Sequence, residues 1–352
     1  MKRMTVKDIA KLSGVSLGAV NMALTGKPSI SKKTRIKILE TAKRIGYRPN
    51  RIAQSLARKP IVIGIVIPEA WPEYIGYLEK GMHNALEKLH DFNVFGSFHK
   101  LPGNFYREKT REVLHSLARK KVDAVIMCPT YGSGLEDHID ILYKKNIPVV
   151  LLVSDLSDGY HLTSIRVNGN LSGRLAAELM KYLVPKDESV AVFIGIKEFT
   201  DHRDKLAGFV KEVRSMPFKI SRVLEAQDDP HIAYNLTRKL VKDQPDLGGI
   251  YIASANSVAV CKCLVDCGLA GKIKVITTDV FPELKYYVDK DIIQCTIYQN
   301  QLKQGELAVN TIYKYIVEKV KPEPSILVNP QLVFKNNFAY YLKIMESDNS
   351  SE

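Results

Sequence analysis

Acidic residues are almost missing from the start of this chain. Residues 1–60 hold only Asp8 and Glu40 against fifteen lysines and arginines. That excess equals the formal net charge of the whole 352-residue chain, +13, so everything after residue 60 balances to zero. Such asymmetry marks a polyanion-binding module on a neutral body. Other scarcities exclude whole classes. There are only five cysteines, which suits a reducing compartment better than a disulfide framework. Cys261, Cys263 and Cys267 have no histidine close in sequence, and positions 261 and 263 of a helix point to nearly opposite sides. Buried structural thiols are expected there, with no metal and no cofactor. No apolar run approaches the ~20 residues that span a bilayer, and no signal-peptide core opens the chain. A cytoplasmic protein without membrane contact is expected. No GxGxxG, Walker A loop, HExxH or GxSxG occurs, so the reading is not an enzyme.

What is present begins with three short helical patterns. Thr5, with Asp8 three residues on, reads as a helix start, and Val6, Ile9 and Ala10 face inward. Gly14 gives a sharp turn. Ser16 caps a second helix whose apolar face includes Val20, Ala23 and Leu24, ended by Thr25-Gly26-Lys27-Pro28. Ser31 caps a third, with Ile38, Ala42 and Ile45 as its stripe and Gly46 as its stop. Three helices around one small core, with a tight turn between the first two, make a helix-turn-helix domain. Within the second helix, Asn21 is the side chain able to hydrogen-bond a base or a phosphate; Leu17 and Met22 offer apolar contact, as to thymine methyls. Ser16, Lys33, Thr34 and Arg35 suit phosphates. Pro49 ends the third helix, Asn50 can cap a short helix through Ala57, and Pro60 closes the stretch. Residues 48–60 read as a linker that becomes helical only when docked.

From Ile61 the pattern changes. "IVIGIVIP" (61–68) is a continuous apolar run, like a buried parallel strand. A long amphipathic stretch follows from Tyr74 to Leu89, and strand-like runs recur at 122–129, 147–154, 189–195, 248–254 and 273–279. Strands alternating with helices over roughly 280 residues imply two doubly wound α/β lobes. Ligands in such folds sit at the carboxyl ends of strands. Standing there are Glu69, Trp71, Glu73, Tyr74, Asp155, Asn168, Arg203, Lys205, Asn256, Asp279, Gln299 and Asn300. Carboxylates, amides, cations and a ring suit a polyhydroxylated ligand, whose hydroxyls pair with the polar groups and whose apolar face lies on the ring. Trp71, the single tryptophan, has core packing as its alternative reading, and Arg203 and Lys205 are equally readable as a solvated helix face.

"TVKDIAKLSGVS", "TGKP", "SKKTRIKILETAKRIGYRPN" and "NRIAQSLA" together resemble the lactose-repressor/galactose-repressor (LacI/GalR) family of bacterial transcription regulators. The resemblance is dense over residues 4–58 and looser to about residue 340. It implies a second helix in the major groove, reading through Leu17, Gly18 and Met22. The family usually has Thr, Ser and Arg where this chain has Ala19, Asn21 and Met22, so polar base reading is thin. It also implies that residues 50–57 of two subunits pair in the minor groove. There Leu56 wedges a base step, Ala53 allows close approach, and Asn50 and Arg51 lie at the DNA. For the body it implies a periplasmic-binding-protein architecture. Asp279 and Gln299 match effector positions, Asn256 a common polar position and Asp155 a lobe-edge contact. Lys205 stands where Arg is usual, and Asn168-Gly169 where Asp-Asn is common. These departures put a neutral-hexose site of the usual kind in doubt and admit an acidic sugar drawn to Arg203 and Lys205.

The organisation expected is therefore a DNA-binding domain over 1–47, a hinge over 48–60 and an effector-binding and dimerisation body over 61–340. The resemblance implies three crossings between lobes, placed near 161–165, 292–297 and 322–330. A polar tail is expected over 341–352, without the leucine heptads of a tetramerising coiled coil. The function expected is a homodimeric regulator on a palindromic double-stranded operator, controlled by a sugar or sugar acid. Repression is the family's common mode, and the sign of the response is left open. The alternatives are a sugar-binding transport component and a regulator that answers a non-sugar effector.

Overall fold

The computed structural model describes residues 4–24, 29–47, 58–102, 107–129, 134–156 and 159–346. They fall into two compact units, a helical one within the first 59 residues and an α/β one that begins at Pro60. In the helical unit, α1 (Val6–Ser13) opens on a reciprocal cap. The Thr5 hydroxyl accepts the Asp8 N–H at 3.4 Å, and the Asp8 carboxylate accepts the Thr5 N–H at 2.8 Å. Gly14, at φ 64°, makes the left-handed turn into α2 (Leu17–Leu24). The Ser31 hydroxyl accepts the Thr34 N–H at 3.1 Å and starts α3 (Lys32–Arg44). Ile9, Ala10, Val20, Ala23, Ile38 and Ala42 meet in a core that joins all three helices. The 25–28 turn and most of the hinge, including Asn50, Arg51, Ala53 and Leu56, lie outside the described residues.

The α/β unit alternates strands and helices: β1 (Ile61–Pro68), α4 (Pro72–Lys88), β2 (Val94–Leu101), α5 (Arg107–Lys120), β3 (Ala124–Met127), α6 (Glu136–Lys144), β4 (Val149–Leu152) and β5 (Thr163–Val167). Then come α7 (Gly169–Leu183), β6 (Ser189–Ile194), α8 (Thr200–Val213), β7 (Lys219–Glu225), α9 (Pro230–Asp243), β8 (Leu247–Ile252), α10 (Ser257–Asp266), β9 (Lys274–Thr278), α11 (Lys285–Asp289) and β10 (Ile293–Tyr298). α12 (Gln301–Tyr313), β11 (Ser325–Val328), β12 (Gln331–Val333) and α13 (Lys335–Glu346) complete it. The first lobe holds the sheet β2-β1-β3-β4-β5-β11, and the second holds β7-β6-β8-β9-β10-β12. All pairings are parallel except β12 against β10. The apolar runs are buried on both faces, as parallel sheets between helix layers require.

Three expectations need correction. Residues 161–165 and 292–297 are not crossings; they lie largely in β5 and β10. A strand must finish pairing before the chain leaves its sheet, so the passages fall just beyond, at Asn168 and at Gln299-Asn300. The third passage, at Asn329-Pro330, lies within 322–330, most of whose remainder is β11. The expected polar tail is helical through Glu346. Phe338, Leu342 and Met345 repeat at helical spacing and are buried, and Lys80 Nζ donates to the Met345 carbonyl at 3.0 Å. Finally, Cys261 and Cys263 are buried thiols, but Cys267, at the end of α10, is exposed.

Close helix contact fixes the frame of the second lobe. A Cβ on Gly173 of α7 would lie 1.9 Å from the Lys205 carbonyl oxygen, and one on Gly208 of α8 would lie 2.0 Å from that of Asn170. Only glycine lets the two helices approach this far, and the approach sets where α8 presents its first turns.

Candidate functional site

The helical unit presents the surface its sequence implies. Val20 and Ala23 turn into the core, which leaves Leu17, Gly18 and Asn21 exposed and Met22 half-buried. Leu17 is 45% exposed, an apolar side chain turned away from the three-helix core. Ser16 Oγ accepts the Ala19 N–H at 3.2 Å, closing the first turn of α2. Lys33 is exposed at the start of α3, with Thr34 and Arg35 half-buried beside it. The Thr34 and Ser31 hydroxyls lie 2.8 Å apart.

In the α/β unit, the carboxyl ends of the strands of both lobes enclose a cleft of about 640 Å³, part of it open to solvent. The first lobe contributes Pro68 at the end of β1 and Trp71, Tyr74 and Ile75 beyond it, Cys128 and Pro129 after β3, and Val153 and Ser154 after β4. The second contributes Phe199, Asp201, His202 and Lys205 at the start of α8, Asp228 after β7, Ser254 and Ala255 after β8, Asp279 after β9 and Gln299 after β10. Trp71 and Phe199 face one another edge-on across the cleft, with ring centroids 6.1 Å apart.

The polar groups are buried and coupled. Lys205 is 1% exposed, and its Nζ donates to Asp201 Oδ2 at 2.6 Å. Asp279 Oδ1 accepts the side-chain amides of Gln299 at 2.7 Å and Gln301 at 2.6 Å. The Gln304 amide donates in turn to the Gln299 carbonyl at 2.9 Å. His202 Nδ1 accepts the Ile196 N–H at 2.9 Å. Burial pushes the Asp279 carboxyl up to about 7, against the pull of Lys205 and the two amides. Burial also raises Asp228, against His202 and Lys205. Tyr74 is held well above its ordinary value by burial first and then by Asp201 and Asp279. Among the described residues, four buried polar atoms in the cleft have no hydrogen-bond partner: Trp71 Nε1, Asp201 Oδ1, Asp228 Oδ1 and Gln299 Oε1. Buried polar groups left open in this way point at a ligand.

The backbone is strained at the same place. Trp71 (φ 52°), Val153 (φ 73°) and Asp279 (φ 74°) all adopt the left-handed region. For a bulky or β-branched residue this costs of order 1–3 kcal/mol.

Of the residues chosen from sequence, Trp71, Tyr74, Lys205, Asp279 and Gln299 line the cleft. Asn256 is buried just behind it, donating to Ser254 Oγ at 3.1 Å. Asp155 sits at the lobe edge. Its Oδ2 accepts the Ser164 hydroxyl at 2.8 Å, and its backbone carbonyl accepts Thr200 Oγ1 from the other lobe at 3.2 Å. Like Asn256 and Asp155, two further residues are not in the cleft lining. Asn168 caps α7, accepting the Leu171 N–H at 3.1 Å. Arg203 points outward on α8, because its neighbours Asp201, His202 and Lys205 occupy the buried side of the helix. A pair of cations waiting for an acidic sugar is therefore absent among the described residues: Arg203 is exposed and Asp201 neutralises Lys205. Asp201, His202, Asp228 and Phe199 were missed. Asp201 and Lys205 stand at i, i+4, a spacing that was legible. Asp228 was hidden beside Asp229, which caps α9.

Comparison with known proteins agrees with both units. The family model for bacterial regulatory proteins of the lacI family matches residues 5–50, and the periplasmic binding protein domain matches residues 63–319. Catabolite control protein A of Staphylococcus aureus (strain MRSA252) is 26% identical over 346 residues, 94% of this chain and 98% of that one. The Priestia megaterium protein of the same name is 24% identical over 255 residues, 71% and 74% of the two chains. Among solved structures, an ABC-transporter solute-binding protein from Burkholderia graminis C4D1M, in complex with D-arabinose, superposes with a TM-score of 0.74. It has 22% identity and covers 80% of this chain and 98% of its own. With a periplasmic-binding-protein domain over most of its length, behind a DNA-binding helix-turn-helix, the chain belongs to the lacI family of bacterial regulatory proteins.

Proposed function

We propose that a sugar or closely related polyhydroxylated molecule binds in the cleft and sets the affinity of the helix-turn-helix for an operator. Residues 1–47 read DNA, 48–60 couple, and the body from residue 61 holds the effector and pairs with a second copy. A two-fold dimer on a palindromic operator follows from the need for two half-sites, in the cytoplasm where the DNA lies. With an apolar face on α2, base reading rests on Asn21, on contacts of Leu17 and Met22 with thymine methyls, and on deformation of the minor groove by the hinge.

The observation that carries the reading is the set of four unpartnered buried atoms on Trp71, Asp201, Asp228 and Gln299. They are three acceptors and one donor around a space of small-molecule size, and hydroxyl groups satisfy both kinds. The cleft is a binding site without a reaction assigned to it. A thermal-shift screen of hexoses, pentoses, hexuronates and sugar phosphates tests this. A ligand at about 100 times its Kd adds ~2.7 kcal/mol of stability. A shift with a neutral sugar that Asp279→Ala removes is the expected result; no shift across the panel overturns the sugar reading.

A further inference from the structure

Among the described residues, the charge in the cleft does not balance, and the imbalance has a sign. Three carboxylates, Asp201, Asp228 and Asp279, face it, and Lys205 is the lysine among them. Lys205 is committed to Asp201, so Asp228 and Asp279 remain, with His202 beside Asp228. The unpartnered atoms lean the same way, with acceptors on Asp201, Asp228 and Gln299 against one donor on Trp71. A neutral sugar would satisfy these hydrogen bonds and bring no charge to set against Asp228 and Asp279, which burial holds above the ordinary carboxylate value.

Asp228 is not there by packing accident. It adopts φ 53°, and its carboxylate occupies the space where a Cβ on Gly195 would be, 2.1 Å from Oδ1. The fold thus keeps a side-chain-free position to seat a carboxylate at the cleft. The same cleft is lined by Trp71 and Tyr74 of the first lobe and Phe199 of the second, and aromatic rings attract cations by their faces.

Resting on the sugar reading above, we infer that the effector carries a protonated amine: an amino sugar, its ammonium set against Asp228 and its hydroxyls shared among Asp279, Gln299 and the Trp71 N–H. An ammonium brings three donors and one positive charge, which is what the site lacks. It also removes the cost of holding buried, uncompensated carboxylates.

Isothermal titration of the full chain tests this with glucosamine, galactosamine and mannosamine, each beside its parent hexose and its N-acetyl derivative, at a pH where the amine is protonated. The N-acetyl compounds keep the nitrogen and lose the charge. At least one amine is expected to bind about tenfold or more tighter than both counterparts, the equivalent of ~1.4 kcal/mol. Asp228→Asn, of the same shape, should erase that advantage, so that the amine binds no tighter than its parent hexose. Asp279→Asn is the second variant, used if the first does not fold. A parent hexose that binds as tightly as its amine overturns the inference and leaves the sugar reading standing. If none of these compounds binds, the inference falls, and the sugar reading is decided by the pentoses, hexuronates and sugar phosphates of the wider screen.

Discussion

Val153 and Asp279 occupy the same place in the two lobes. Each follows the fourth strand of its sheet order, β4 or β9. Each has a left-handed backbone, at φ 73° and 74°. Each gives its N–H to the neighbouring strand at 2.9 Å, to Ile165 and Ile297 respectively. The kink is a property of the architecture, and the side chain is a property of the task. In the first lobe it carries a half-buried apolar group among Pro68, Trp71, Ile75 and Pro129. In the second it carries a buried carboxylate held by two glutamines. The lobes share a fold and divide the work: most of the apolar lining on one side, the charged groups on the other.

The largest expected effect strikes the charged side. Lys205→Met leaves the Asp201 carboxylate buried and alone, and should cost about 3–5 kcal/mol in a urea titration. Combining it with Asp201→Leu should recover most of the loss, yet leave a cleft that binds nothing. Next, Asp279→Val gives the second lobe what the first carries. It removes the acceptor of Gln299 and Gln301, and should weaken effector binding by about a hundredfold or more, ~2.7 kcal/mol. A graded effect follows from the raised Asp279 carboxyl. Below the ordinary carboxylate value both folded and unfolded chains are protonated there. Between that value and about 7, the unfolded chain loses the proton and the folded chain keeps it. This group's contribution to stability therefore falls as pH rises through that window, and the difference between wild type and Asp279→Asn in melting temperature against pH should show it. The smallest effect is on the apolar side. Val153→Asn places a residue that tolerates the left-handed region where a β-branched one is strained, and should raise stability by about 1 kcal/mol.

Much of this was legible in the residues. Continuous runs such as "IVIGIVIP" announce buried parallel strands, and the six so chosen all contain strands. β2 was not foreseen, because its burial is broken: Phe95 and Gly96 are exposed at the sheet edge. The end of the chain was read as polar because Lys343, Glu346 and the residues after them outweigh the Phe338, Leu342, Met345 stripe. Rules about strand ends found Asp279 and Gln299, since each directly follows an apolar run. They passed over Asp201 while choosing Arg203 and Lys205 on the same helix, and passed over Asp228 because β7, much of it exposed, does not read as an apolar run. Whether such a residue turns in or out depends on how α8 is held by Gly173 and Gly208, and no local pattern carries that.

The central claim is that cleft and DNA-binding unit are linked. Fluorescence anisotropy of a labelled duplex, selected by the protein from a random pool, tests it with and without a sugar that stabilises the protein. The prediction is a change in DNA affinity of about 5–150-fold, the usual size of such coupling, with no change in Asp279→Val. A sugar that binds the wild-type cleft and leaves DNA affinity unaltered would contradict it.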